Sequence, residues 1–203
     1  VAYSSVSHMG IVLLGIASMQ PLGFAGAIFM MFAHGIISPM LFAVCGSFKH
    51  HYHTLEIGSL RGVAKTSPYM GVYMMFAWMA SLGLPLLAGF VAEVAVLVAF
   101  WMEYGWLVLL PALTLVITAA YYLWSMQRTI FEGDGEVVLP DTMGDDNPRD
   151  ISPWENVGNI LMALLIVLFG VLPWIIWGMM SSYADAHFYQ HMGGLLRLVA
   201  GGA

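Results

Sequence analysis

Charge is what this sequence has least of. Only 9% of its 203 residues are Asp, Glu, Lys or Arg, against about a quarter in an ordinary soluble domain. That shortage excludes a water-soluble globular fold of this length. Basic residues number six, too few to neutralise a run of phosphates, so a nucleic-acid partner is excluded as well. There is one cysteine, Cys45, which rules out an internal disulfide and any cysteine-ligated metal or iron–sulfur centre on this chain. Cys45 lies in an apolar run and reads as packing. The opening VAYSSVSHMG has neither an initiator Met nor a basic n-region. It is no signal peptide, and it reads as a chain entered in the middle of a longer one.

What fills the sequence instead is hydrocarbon. Hydrophobic residues make up 60%, and the mean hydropathy is +0.82. They come in blocks, and a helix needs roughly 20 such residues, at about 1.5 Å each, to cross a bilayer. The expected fold is therefore all-α and integral to the membrane, with about five transmembrane helices, one of them discontinuous. The apolar runs are 2–19, closed by Gln20-Pro21; 24–48, closed by KHHYH; 68–102, interrupted at GLPLLAG; 106–131; and 157–180. Helices one to four then occupy 1–131, an acidic loop 132–156, a fifth helix 157–182 and a tail 183–203. Asp150, Ser152 and Pro153 supply cap candidates and a helix-initiating proline ahead of the fifth.

The net charge of −6 is concentrated, since seven of the twelve acids fall between Glu132 and Asp150. The loop after the second run carries Lys49, Arg61 and Lys65, and the loop after the fourth carries Arg128 and Arg149. An even number of crossings puts both loops on one face, which thus holds five of the six basic residues; the tail holds Arg197. By the positive-inside rule these loops are expected to be cytoplasmic and the C-terminus outside.

An ionisable side chain at membrane depth is costly and asks for a reason. Three qualify: His8, His34 and Glu93. Together they can form part of a proton relay, because histidine titrates near neutrality. For His8 a local reading stands beside it, since Ser4 lies four residues earlier on the same helix face and can hydrogen-bond to it. Glu93 follows LGLPLLAGF, where Gly83, Pro85 and Gly89 break the helix. Freed backbone groups persist in a membrane only when buried in protein or lining a wet cavity. Broken helices of this kind form ion sites in transporters. Either the break admits water and Glu93 holds a proton beside it, or the break is a simple kink and Glu93 pairs with a neighbouring helix.

Two further features carry less. His50, His51 and His53, with Glu56 nearby, invite a metal site, but the spacing is weak and a solvated loop is expected; no metal is assigned. Trp101, Trp106, Trp154, Trp174 and Trp177 fall near the predicted span ends, as an interfacial aromatic belt requires.

Four stretches in order, AYSSVSHMG, GAIFMMFAHGIISPMLF, ASLGLPLLAGFVAEV and AAYYLWSMQRTIF, resemble the C-terminal part of the antiporter-like subunits of respiratory complex I. The likeness runs over about residues 1–180 and is strongest to the NADH dehydrogenase subunit 4 type. It implies a fourteen-helix fold with two inverted repeats, of which the five runs here are the last five helices. It implies that LGLPLLAGF is the break of the second repeat. It also implies that His8, His34 and Glu93 lie on a central proton-conducting axis, Glu where sister subunits have Lys. Quinone, flavin and iron–sulfur clusters are then expected in partner subunits, none on this chain. The expected partners are other membrane-arm subunits and lipid, in a prokaryotic plasma membrane. The family's first-repeat Glu and Lys do not occur in this sequence, nor does the basic residue that usually precedes AYSSVSHMG. The chain alone is therefore expected to be inactive. Pro39 also departs from the family and is expected to kink the second helix. The alternative of the same ancestry is a membrane subunit of an Mrp-type cation/proton antiporter or of a membrane-bound hydrogenase.

Overall fold

The computed structural model describes residues 1–58, 60–132 and 150–186, and these are helical with no strand. The acidic stretch 133–149 with Arg149, and the tail 187–203 with Arg197, lie outside the described residues. Helix α1 is Ala2–Ala17, α2 Pro21–Tyr52, α3 Val63–Thr66, α4 Pro68–Ser81, α5 Ala88–Tyr104, α6 Leu109–Met126 and α7 Pro153–Val171. A short 3-10 turn, Gly105–Val108, joins α5 to α6, and a π-helical turn, Gln127–Phe131, ends α6.

Helix α2 is the central post. Pro21 sits at its start, where a missing N–H costs nothing. Its 32 residues give a rod about 48 Å long. The helix runs on past the predicted end at 48, so KHHY forms its last turn and is not a solvated loop. His53, at φ 54°, closes it in the left-handed conformation. Lys49, His50 and His51 thus face the negative end of the helix dipole, which favours them there. The helix also continues through Pro39. Proline has no N–H to give the carbonyl four residues back, which here is that of Gly35, next to His34.

The third predicted run is divided. Helix α4 has 14 residues and α5 has 17, about 21 and 25 Å, so neither crosses a hydrocarbon core of about 30 Å by itself. Residues 82–87 join them, with Gly83 at φ +74° and Leu86 at φ +75°. At the far end of α5, Tyr104 Oη donates to the Ala17 carbonyl (2.9 Å) and Gln20 Nε2 to Glu103 (2.9 Å), at the α1–α2 turn. The chain reverses at Gly105 (φ +57°), and α6 returns until Ile130 lies near Gly71 and the start of α4. Five passes result. Lys49, Arg61, Lys65 and Arg128, the basic residues described, all stand at one end of the bundle.

Backbones approach closely where glycines meet. A Cβ on Gly15 would come within 2.6 Å of the Gly23 carbonyl, and one on Gly26 within about 3 Å of Val96. Small residues at helix crossings are how membrane bundles gain packing when lipid offers no hydrophobic drive. Large apolar residues such as Leu109, Leu113, Val116 and Ile117 on α6 point outward. Helix α7 begins at Pro153 rather than 157, because Ser152 and Glu155 form a capping box. It stops before Pro173, and helix resumes over 174–186. Trp101, Trp106, Trp154 and Trp174 are exposed, whereas Trp177 turns inward against Phe29, with ring centroids 5.8 Å apart.

Candidate functional site

His8 is placed by α1 and His34 by α2, and the two rings lie 5.1 Å apart. His8 is 5% exposed. Its Nε2 shares a 2.9 Å hydrogen bond with Ser81 Oγ, at the last turn of α4 before the break. Ser4 is not its partner as the spacing suggested, because Ser4 Oγ donates to the Val1 carbonyl at 2.6 Å. Ser81 Oγ is in turn 2.7 Å from Tyr122 Oη on α6. His34 Nε2 lies 3.1 Å from Ser5 Oγ. The result is a line of groups running Ser5, His34, His8, Ser81, Tyr122.

Each member of that line can both accept and donate a proton, since a neutral imidazole carries one N–H and one free nitrogen, and a hydroxyl does both. His8 Nδ1 is buried without a hydrogen-bond partner among the described residues, so one valence of the ring is uncommitted. Tyr122 also lines a cavity of about 250 Å3 together with Tyr121, Ser125 and Thr129. Leu55, Ile57 and Leu60 of the loop after α2 line it too, which locates the cavity toward the basic end.

Glu93 is the second half of the site. It lies in the second turn of α5 and is 5% exposed, so it faces neither lipid nor bulk water. Its carboxylate rests against the Cα of Gly83, occupying the space a side chain there would need. The break and the acid are therefore one packing unit, joined by the absence of a Cβ. No hydrogen bond or ion pair holds Glu93 among the described residues. A buried carboxyl without a counter-charge differs from a structural ion pair, in which each charge satisfies the other. Nor does a direct hydrogen bond join Glu93 to His8 or His34. The break itself is held from outside: the backbone at Leu86 and Leu87 packs on Gly170 of α7, where a Cβ would overlap both residues.

Sequence reasoning missed Ser81, Tyr122 and Ser5. Their only signal was a hydroxyl inside an apolar helix, which serine and tyrosine supply too often to single out. His50, His51 and His53 do not converge with Glu56; His50 and His51 meet Glu155 instead.

The family model described as NADH:quinone oxidoreductase/Mrp antiporter, transmembrane, matches residues 1–118. Subunit M of the F(420)H(2) dehydrogenase of Methanosarcina mazei is 39% identical over 186 residues, covering 92% of this chain and 36% of that protein. NADH-quinone oxidoreductase subunit M of Rickettsia prowazekii is 34% identical over 173 residues, covering 85% and 34%. Among solved structures, a chain of respiratory complex I from Thermus thermophilus superposes with a TM-score of 0.82 at 30% identity, over 92% of this chain and 38% of that one. The chain thus spans about a third of the length of the curated relatives it matches. With its all-helical membrane fold, this protein belongs to the transmembrane family of the NADH:quinone oxidoreductases and Mrp antiporters.

Proposed function

We propose that this chain is the C-terminal portion of a proton-translocating membrane subunit in a complex I-like donor:quinone oxidoreductase. The observation that carries the reading is the contact of the Glu93 carboxylate with Gly83 inside a divided membrane helix. Glu93 holds and releases a proton at the break, and His34 and His8 pass protons along the hydroxyl line toward Tyr122. Gly83, Pro85 and Gly89 keep the helix open there, so that water reaches the acid. Electron transfer takes place in partner subunits that carry the quinone site, flavin and iron–sulfur clusters; a chain with one cysteine cannot ligate a cluster. The basic end faces the cytoplasm of a prokaryotic cell and the C-terminus the outside, by the positive-inside rule. The chain is inactive without the rest of its subunit.

The test is Glu93→Gln in the intact complex. Coupled proton pumping falls while assembly is retained, because glutamine keeps the shape and removes the exchangeable proton. Full pumping by a well-assembled variant would remove Glu93 from the mechanism. A second reading, a membrane subunit of an Mrp-type antiporter or a membrane-bound hydrogenase, is favoured by the scope of the matching family model, which includes Mrp antiporters. Genes for quinone reductase, hydrogenase or small Mrp subunits beside the coding sequence separate the two.

A further inference from the structure

At the basic end of the bundle, far along the chain from the proton line, three side chains meet that the proposed function does not use. His50 and His51 are the last turn of α2, and Glu155 is the third residue of α7. Adjacent residues on a helix point about 100° apart and do not normally share a ligand. Here they do, because α7 brings one carboxylate between them. Glu155 Oε2 is 3.2 Å from His51 Nε2, and Oε1 is 4.0 Å from His50 Nδ1. One ligand atom from each of the three residues lies within 4.8 Å of the others.

We propose that His50, His51 and Glu155 bind a zinc ion that ties the end of α2 to the start of α7. Two imidazoles and one carboxylate form a three-ligand set with an open position for water, the donor chemistry zinc takes where its shell is not closed by protein. At metal–ligand lengths of about 2.0–2.2 Å, tetrahedral ligand atoms stand roughly 3.3–3.5 Å apart. The His51–Glu155 pair already has that separation. The set as a whole, within 4.8 Å, needs about 1.3–1.5 Å of closure at most, and the His50 side chain, 74% exposed, is free to supply it.

The carboxylate is fixed in advance. Glu155 Oε2 accepts from the Ser152 backbone N–H at 3.1 Å, and Ser152 Oγ accepts from the Glu155 N–H at 3.5 Å. Such an outer contact orients a metal ligand and limits the entropy lost on binding. One turn deeper on the same two helix faces, Ser47 and Asn159 line a cavity of about 350 Å3 together with Glu155. Asn159 is 1% exposed, and its Oδ1 has no hydrogen-bond partner among the described residues. It is an acceptor that can receive a hydrogen bond from a metal-bound water. Zinc therefore meets a prearranged carboxylate, a nearly buried imidazole and an exposed one, with an unused carbonyl oxygen one turn deeper in the adjoining cavity.

The experiment is a zinc titration of the chelator-stripped, full-length subunit in its detergent-solubilised complex, read with a competing fluorescent indicator. Glu155→Gln is the informative variant, because glutamine preserves the capping box while removing the anionic ligand. His51→Gln removes the buried imidazole, and His53→Asn removes the neighbouring histidine outside the cluster at a position whose left-handed backbone asparagine tolerates. The expected result is one zinc per subunit that His53→Asn retains and both cluster variants lose or bind more than about tenfold more weakly, the scale on which even outer contacts act. X-ray absorption of the wild-type complex should show imidazole scattering around that zinc. Equal uptake and affinity in wild type, Glu155→Gln and His51→Gln, or no zinc bound by the wild type, overturns the proposal and leaves the cluster a histidine–glutamate hydrogen-bond contact between α2 and α7. Proton pumping by the Glu93→Gln complex is read separately, so failure of one reading does not touch the other.

Discussion

Replacing Gly83 by alanine perturbs the backbone and the acid at once, and the two effects can be separated. At φ +74° an L-residue carries a left-handed penalty of about 1–2 kcal/mol. The added Cβ would also overlap Oε2 and Cδ of Glu93 and lie 3.1 Å from Oε1. Overpacking of this kind costs about 1–3 kcal/mol where a neighbour must shift. Gly83→Ala should therefore destabilise the folded subunit by about 2–5 kcal/mol, the sum of the two. In a Glu93→Ala background the overlap disappears, and the same substitution should cost only the backbone penalty of about 1–2 kcal/mol. The double-mutant cycle then has a coupling energy of about 1–3 kcal/mol, as expected for residues in contact. Denaturation of the four detergent-solubilised assemblies, followed by loss of helical signal, measures it. Pumping by Gly83→Ala should also fall, since the displaced carboxyl no longer sits at the break. If Gly83→Ala costs the same in both backgrounds within about 0.5 kcal/mol, the two residues do not touch and the reasoning fails.

Three further outcomes follow from the same geometry. Tyr122→Phe removes one hydroxyl from the line and leaves the ring, so it should cost about 1 kcal/mol in stability and slow proton translocation in an assembled complex; an unchanged rate means protons do not pass Ser81 and Tyr122. Gly170→Ala would drive a Cβ into the backbone at Leu86 and Leu87, and should lower thermal stability and assembly by an amount equivalent to about 1–3 kcal/mol; a normal melting temperature would show that α7 does not hold the break. Asp150 accepts from the backbone N–H groups of Tyr69 (2.9 Å), Met70 (3.1 Å) and Ile151 (2.8 Å), capping α4 from a distant segment. Asp150→Ala should cost about 1–2 kcal/mol and expose residues 60–70 to limited proteolysis; protection equal to wild type would deny the cap.

Much of the candidate site was legible because its signals are local. Gly83, Pro85 and Gly89 announce a break through backbone covalent chemistry, which acts on the residue itself and its nearest turn. Glu93, His8 and His34 stand out because any charge-capable group in a run of hydrocarbon is conspicuous. Pro39 shows the limit of the same rule. Its missing N–H costs a helix hydrogen bond, yet α2 stays helical on both sides of it, because neighbouring helices pack on α2 before and after the proline. The histidines after position 48 show another limit. Their polarity suggested a loop, but favourable helix-end electrostatics and the carboxylate of α7 draw His50 and His51 into the last turn.

The sequence by itself determined a membrane fold, a divided helix and a buried acid just past the division, since hydropathy and backbone breakers act within a few residues. Only the tertiary structure decided what those groups touch. His8 finds Ser81, 73 residues away, rather than Ser4 on its own helix. His51 meets Glu155, 104 residues away. The break lodges against Gly170, and the acid fills the space that Gly83 leaves open. Side-chain partners are set by how helices cross, and crossings depend on where small residues let two backbones approach, which no single helix can specify alone.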